Sequence, residues 1–102
     1  MSDKLRRQLH NELRLFYENV YFQPPANIRM EYPCIVYSRY GKAPSYASDD
    51  IYKDRTGYTL TVIEKDPTSN KAEEIVRHFR YARLTAYQTV ESLHQTTITI
   101  YY

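Results

Sequence analysis

Three aspartates, Asp49, Asp50 and Asp54, stand close together near the middle of the chain. Neighbouring carboxylates can act as general acid and base, and a cluster of them can bind a cation. Their spacing matches no calcium-binding loop, because the glycine and the closing glutamate of that motif are absent. We therefore interpret these acids as turn residues in a solvated loop.

The other side chains suited to chemistry are one cysteine and three histidines. Cys34 lies in an apolar run, which predicts a small core residue within a strand rather than a nucleophile. His10, His78 and His94 have no cysteine, histidine or carboxylate at the spacing of metal ligands. A chain with two glycines also lacks a glycine-rich phosphate loop. The sequence therefore predicts a protein that is not an enzyme and has neither a cofactor nor a metal site.

Basic and aromatic residues are interleaved in two segments, a pattern typical of proteins that bind single-stranded nucleic acids. The first segment contains Arg39, Tyr40, Lys42, Tyr46, Tyr52, Lys53 and Arg55, and the second contains Arg77, Arg80, Tyr81 and Arg83. Acidic residues dilute both segments, an RNA-recognition signature is missing, and the net charge is only +2. A small nucleic-acid-binding module is therefore an alternative and not the first hypothesis.

Length and composition favour a small protein that contacts other proteins. The 102 residues fit one domain, residues 1–102, with a thin core. Twelve tyrosines are present without a tryptophan, and tyrosine is enriched at protein–protein contacts. One cysteine cannot form an internal disulfide. The chain shows neither the apolar run of a signal peptide nor one long enough to cross a bilayer, so we expect cytosolic synthesis without a membrane.

The elements that position these residues follow from periodicity. Apolar residues at helical spacing predict a first helix over residues 3–18, and Asn70 with Glu73 predicts a capping box that starts a short second helix ending near Phe79. Strands are predicted over residues 31–40, 58–64, 80–89 and 95–102, with a turn over residues 90–94. The fold class is therefore α+β, an α-β-β-α-β-β order with a mostly antiparallel four-stranded sheet and both helices packed on it.

The segment 38–57 shows neither helical nor strand periodicity, so we predict a long loop there. Its length is unusual for a small domain, and long connections are commonly functional. Its mixture of aromatic, basic and small residues favours an ordered contact loop over a linker. The first predicted strand is apolar on both faces, which predicts that each face of the sheet is covered.

Three blocks of sequence, spread over about residues 20–102, resemble the small tail-completion (tail-terminator) proteins of long-tailed bacteriophages. The first comprises residues 21–27, Tyr-Phe-Gln-Pro-Pro-Ala-Asn, and the more specific residues 32–37, Tyr-Pro-Cys-Ile-Val-Tyr. The second comprises residues 49–52 and the segment 57–67 that ends in Asp-Pro. The third is Leu93-His94 before the terminal strand. Asp50 and the pair Glu91-Ser92 depart from the pattern, where we expect an asparagine and an Asp-Asn-like turn.

The resemblance implies a structural virion protein of the tail and neck, made in the host cytoplasm. It implies a homo-oligomeric ring, expected to be a hexamer, that caps the tail tube, joins the tail to the head-completion or connector protein, and lets DNA pass without sequence-specific binding. A head-completion (stopper) role is the alternative within the neck. We place the ring contacts in the 38–57 loop and the last strand, with the following candidate interface residues: Arg39, Tyr40, Lys42, Tyr46, Asp49, Asp50, Tyr52, Lys53, Arg55, Arg80, Tyr81 and Arg83.

Overall fold

The fold is a five-stranded mixed sheet with two helices, seen in a computed structural model that describes residues 2–42 and 55–102, with side chains for 6–39 and 55–102. The elements in chain order are α1 (Ser2–Leu13), β1 (Val20–Phe22), β2 (Cys34–Lys42), β3 (Thr56–Glu64), α2 (Lys71–His78), β4 (Ala82–Val90) and β5 (Leu93–Tyr101). The strands are ordered β1-β2-β3-β5-β4. β1 pairs with β2 in parallel, and all other pairs are antiparallel.

The α+β class is confirmed, but the four-stranded order is wrong because β1 was missed. β1 has three residues, Val20–Phe22, and three residues cannot display the alternation that identifies a strand. Val20 also continues the helical spacing of the apolar residues before it. The helix in fact ends at Leu13, and the residues to Phe16 form a tight turn in which the Phe16 N–H donates to the Leu13 carbonyl.

The predicted loop 38–57 is too long at both ends. Ser38 to Lys42 belong to β2, Thr56 and Gly57 belong to β3, and Gly41 pairs directly with Gly57. A β-bulge between Arg39 and Gly41 shifts the register there. A bulge inserts a residue into one strand, so side-chain alternation is lost although the strand continues. This explains why the sequence showed no strand period beyond residue 38.

Both helices pack on one face of the sheet, called here the helix face. Its buried cluster joins α1 and α2 to alternate residues of the three central strands: Leu9, Leu13, Ile35, Tyr37, Tyr58, Leu60, Val62, Ala72, Ile75, Phe79, Ile98 and Ile100. Alternate residues of a strand point to opposite faces, so one face of each central strand supplies this core.

The opposite face, called here the open face, carries no helix among the described residues. Register places Thr59 opposite Thr99 and Thr61 opposite Thr97 on this face, and these threonines are half-buried. Cys34 lies on the same face and is fully buried, whereas Ser38 on the same strand is exposed. The expectation that both faces are covered is therefore confirmed for the helix face, whereas the open face is buried at Cys34 and its partner Ile63 and exposed at Ser38.

The second helix and the last hairpin lie where they were predicted, with different local chemistry. α2 has no side-chain cap at Asn70, so the predicted capping box is wrong; instead the hydroxyl oxygen of Ser69 accepts the Lys71 N–H at 3.3 Å. The turn between β4 and β5 is only Glu91-Ser92, with φ of 51° and 67°. Two successive residues at positive φ give the tight turn that suits the twist of a hairpin.

Candidate interaction surface

The strand at the end of the sheet, β4, pairs only with β5 among the described strands. Every residue from Arg83 to Val90 is exposed. Three of them are large and apolar: Leu84, Tyr87 and Val90 are 45%, 63% and 44% exposed. A strand edge also presents unpaired backbone N–H and C=O groups, which favour pairing with another chain. β4 therefore combines an edge that no other described strand pairs with and exposed apolar side chains.

A bulge brings two of these apolar residues to the same face. The register shifts between Leu84 and Ala86, and the hydroxyl of Thr85 donates to the carbonyl of Thr97 at 3.2 Å. Leu84 then pairs with Ile98, and Tyr87 pairs with Thr96, two residues earlier on β5. Leu84 and Tyr87 therefore both lie on the helix face, although they are three residues apart.

Leu84 and Tyr87 line a concavity of about 480 Å³ between β4 and the start of α2. Pro67, Ser69, Ala72, Glu73 and Thr96 contribute to its walls. α2 packs against β4 and β5, but its eight residues leave Leu84 and Tyr87 45% and 63% exposed. We name the exposed edge of β4 together with this concavity the β4 surface. Its apolar lining and free backbone groups suit a protein partner.

Leu84, Tyr87 and Val90 are not among the interface residues predicted from the sequence. Leu84 and Tyr87 lie three residues apart within the predicted strand 80–89, which conflicts with a two-residue alternation, and Val90 lies in the predicted turn 90–94. The conflict between Leu84 and Tyr87 was the available signal, because a bulge between them places both on one face, whereas Val90 lies on the open face. Without the register, the same spacing gives no indication of which residues remain uncovered.

Three of the predicted interface residues come together at the start of β4. The guanidinium carbon of Arg55 lies 4.6 Å from the centre of the Tyr81 ring, and that of Arg80 lies 5.5 Å from it. The Tyr81 carbonyl accepts the Tyr101 N–H at 2.9 Å, which joins this cluster to β5. Cations placed over an aromatic ring are attracted by its negative face. Arg83, on β4, is exposed on the open face opposite Thr99.

The remaining predicted interface residues lie elsewhere. Arg39 is exposed on β2, where its N–H donates to Oε1 of Gln23 at 3.2 Å, and both β3 and β5 separate it from β4. The side chains of Tyr40 and Lys42 fall outside those described. Five further residues lie outside the described residues altogether: Tyr46, Asp49, Asp50, Tyr52 and Lys53.

The last strand, where a ring contact was predicted, lies inside the sheet. β5 lies between β3 and β4, so its backbone groups are paired on both sides. Its alternating half-buried residues point to the open face, where only side chains are available.

Two carboxylates tie the helices to the sheet. Glu64, at the end of β3, is 4% exposed and accepts hydrogen bonds from the hydroxyls of Tyr17 and Ser69. Burial, followed by the bond to Glu64, raises the pKa of Tyr17 to about 12. These hydroxyls come from the segments that follow α1 and precede α2, so one buried acid holds both.

Glu12 of α1 is the second carboxylate that links the helices to the sheet. Its Oε1 lies 2.8 Å from Nε2 of His78 at the end of α2, and its Oε2 accepts the hydroxyl of Tyr102. Burial and this bond raise the pKa of the Tyr102 hydroxyl. His78 also meets the ring of Phe16 edge-on, with 5.3 Å between ring centres. The group joins both helices to the residue after β5.

The side chains first considered for chemistry are placed as follows. Cys34 is fully buried, as predicted, and burial raises the pKa of its thiol to about 11, so it is protonated at neutral pH. His94 lies at the start of β5, with Nδ1 3.1 Å from the Tyr87 hydroxyl. Within residues 2–42 and 55–102, no group of three or more His, Cys, Asp or Glu residues is arranged to hold a metal ion.

No family model, curated protein or solved structure matches this chain. Across the part of the chain that the structure describes, neither helix has the length and apolar character required to span a bilayer.

Proposed function

We propose that this chain is a non-catalytic structural subunit of a long-tailed bacteriophage, a tail terminator that assembles into a ring on the tail tube. The blocks of sequence within residues 20–102 that resemble tail-completion proteins motivate the proposal. The observation that carries it is the β4 surface, where Leu84, Tyr87 and Val90 are exposed along an edge that no other described strand pairs with. Isolated soluble proteins usually protect such edges, whereas subunits of assemblies cover them with a neighbour.

A ring requires heterologous contacts, in which one surface of a subunit meets a different surface of the next. The β4 surface supplies the first. The open face, with its four half-buried threonines and the exposed Ser38, supplies a second surface on another side of the molecule. In this proposal the ring is a hexamer that binds the tail tube and the head-completion protein, lets DNA pass, and is part of the virion neck.

The first test is the assembly state. The chain is expected to be monomeric when dilute and to form closed rings at high concentration or on isolated tail tubes, as measured by native mass spectrometry. A tight two-fold dimer under every condition would contradict the ring. Cosedimentation with filled heads, but not with tails, would assign the chain to the head-completion role instead.

The second test is a pair of matched substitutions. Leu84→Asp places a charge in the β4 surface, and Leu15→Asp makes the same change at a residue that is 71% exposed and outside that surface. A residue at the centre of an interface commonly contributes about 2 kcal/mol to binding. We expect Leu84→Asp to remain folded by circular dichroism but to lose ring formation and infectious particles in a complementation assay, with Leu15→Asp unchanged. Normal rings from Leu84→Asp would refute the role of this surface.

The cluster of Arg55, Arg80 and Tyr81 favours one alternative, a small nucleic-acid-binding module. It combines two cations with an aromatic ring, as single-strand binding sites do. The guanidinium groups already lie over the ring on which a base would stack, which makes this alternative the weaker one. Tight, strongly salt-dependent binding of a fluorescent oligonucleotide that is lost in Arg80→Gln would favour it over the ring subunit.

A further inference from the structure

The solvent side of α1 carries a cluster of hydrogen-bond donors that plays no part in the proposed ring contacts. Arg6, Arg7, His10 and Asn11 line a shallow concavity of about 220 Å³. Residues three and four apart on a helix are neighbours, so Arg6 meets His10, and Arg7 meets both His10 and Asn11. The adjacent Leu9 faces the core. The concavity therefore lies beside the core-facing side of α1, where Arg6 and His10 reach the sheet and Arg7 and Asn11 are exposed.

Two of these side chains are held in place by a buried tyrosine. Nη1 of Arg6 donates to the Tyr37 hydroxyl at 3.1 Å, and the guanidinium lies 4.5 Å above the centre of the Phe22 ring. Nδ1 of His10 lies 2.8 Å from the same hydroxyl, and Tyr37 is 1% exposed. A guanidinium and an imidazole fixed by a core residue lose less freedom on binding a ligand than free surface side chains do.

The same hydroxyl can donate its proton to Nδ1 of His10, which places the ring proton on Nε2. The Tyr37 oxygen accepts from Arg6, because a guanidinium can only donate, so its own proton is available to Nδ1 of His10. Burial, followed by the nearby charges of Arg6 and Arg14, lowers the pKa of His10 and so favours a neutral ring. A neutral imidazole that accepts at Nδ1 has its proton on Nε2, which is then a donor.

The positive charge of this cluster is not balanced by the described side chains. The ion pairs within residues 6–39 and 55–102 join Lys71 to Glu74 and His78 to Glu12. None of them includes Arg6, Arg7 or Arg14. Two guanidinium groups, an imidazole N–H and an amide thus converge without a described carboxylate partner.

We propose that this side of α1 binds a phosphate group, with Arg6, Arg7, Asn11 and Nε2 of His10 as donors. A carboxylate has two oxygens in one plane, whereas a phosphate offers three or four oxygens in a tetrahedral arrangement and can use donors on several side chains. The source is either free phosphate or the phosphodiester backbone of a nucleic acid. The inference goes beyond the proposed function and does not depend on it.

The test uses inorganic phosphate as the probe and the imidazole NMR signals of His10 as the reporter, on the full chain at constant ionic strength. We expect a saturating shift of the His10 signals that chloride does not produce. Arg7→Gln removes an exposed charged donor and should weaken binding roughly tenfold. Arg77→Gln, an exposed arginine on α2, is the matched control and should bind like the unmodified chain. A shift that does not saturate, or equal weakening in both variants, would overturn the site.

A second arm distinguishes the sources of the phosphate group. If a short DNA duplex shifts the His10 signals at far lower concentration than inorganic phosphate, and Arg7→Gln loses the effect, the ligand is a nucleic-acid backbone. If inorganic phosphate binds and the duplex does not, the ligand is a free phosphate. Polyglutamate that binds in place of both would overturn the proposal, since the partner would then be an acidic protein.

Discussion

Tyr17→Phe tests whether the buried Glu64 carboxylate holds the helices to the sheet. Glu64 is 4% exposed, and the hydroxyls of Tyr17 and Ser69 donate to its carboxylate. The substitution keeps the aromatic ring and removes one donor from a buried charge. A hydrogen bond to a charged group contributes about 1.5–3 kcal/mol, and the donor that remains on Ser69 limits the loss. We therefore expect the free energy of unfolding to fall by about 2 kcal/mol.

A double-mutant cycle separates this bond from other effects of the substitution. In a Glu64→Gln background the partner is neutral, so Tyr17→Phe should cost only about 1 kcal/mol. Tyr32→Phe is the control, because no described residue bonds to its hydroxyl. Urea unfolding followed by far-ultraviolet circular dichroism gives the free energies, and an unchanged denaturant slope shows that the same unfolding is measured.

Alkaline pH provides an independent check on Tyr17. Its pKa is raised from 10.0 to about 12 in the folded protein, so its contribution to stability is present below pH 10 and is lost as the pH rises to about 12. Tyr17→Phe should lose less stability over this window than the unmodified chain. Equal costs of Tyr17→Phe in the two backgrounds, together with an unchanged alkaline loss, would refute the reasoning.

The remaining predictions concern the buried thiol and the second carboxylate. Cys34→Ser should lower the free energy of unfolding by about 1–3 kcal/mol, because it buries a more polar group, and Cys34→Ala should cost the same or less; rapid alkylation of the native thiol would contradict its burial. Tyr102→Phe removes the hydroxyl that donates to Glu12 and should cost about 1–2 kcal/mol in urea unfolding. A cost that is the same in a Glu12→Gln background would show that the bond to Glu12 contributes nothing.

The elements that the sequence predicted well are those with a regular period. Residues 58–64 alternate, and they lie in β3, where one set of alternate side chains enters the core. Pro33 has no N–H to donate to a strand ladder, and β2 begins at the next residue, Cys34, within the predicted strand 31–40. In residues 58–64 the side-chain alternation agrees with the tertiary contacts, and at Pro33 the missing N–H agrees with the start of strand pairing.

The errors fall where the alternation is interrupted or the element is too short. The bulges at Arg39/Gly41 and Leu84/Ala86 depend on pairing with a partner strand, which a single sequence does not specify. β1 is held by a parallel partner, with the Ile35 N–H donating to the Asn19 carbonyl at 2.9 Å, and no local period marks it. The candidate surface moved to β4 because the exposure of Leu84 and Tyr87 depends on the β4 register and on how α2 packs against this strand, which a single sequence does not specify.

The sheet order bears on the proposed ring through its two edges. At one edge β1 is only three residues long, and Nδ2 of Asn19 beside it donates to the carbonyls of Glu31 and Pro33. At the other edge β4 has nine residues, with neither proline nor lysine to discourage pairing. Backbone pairing with a neighbour is therefore far more favourable along β4. If a ring forms, one subunit should present β4 and the next should present a different surface, which is the condition for closing a ring rather than forming a two-fold dimer.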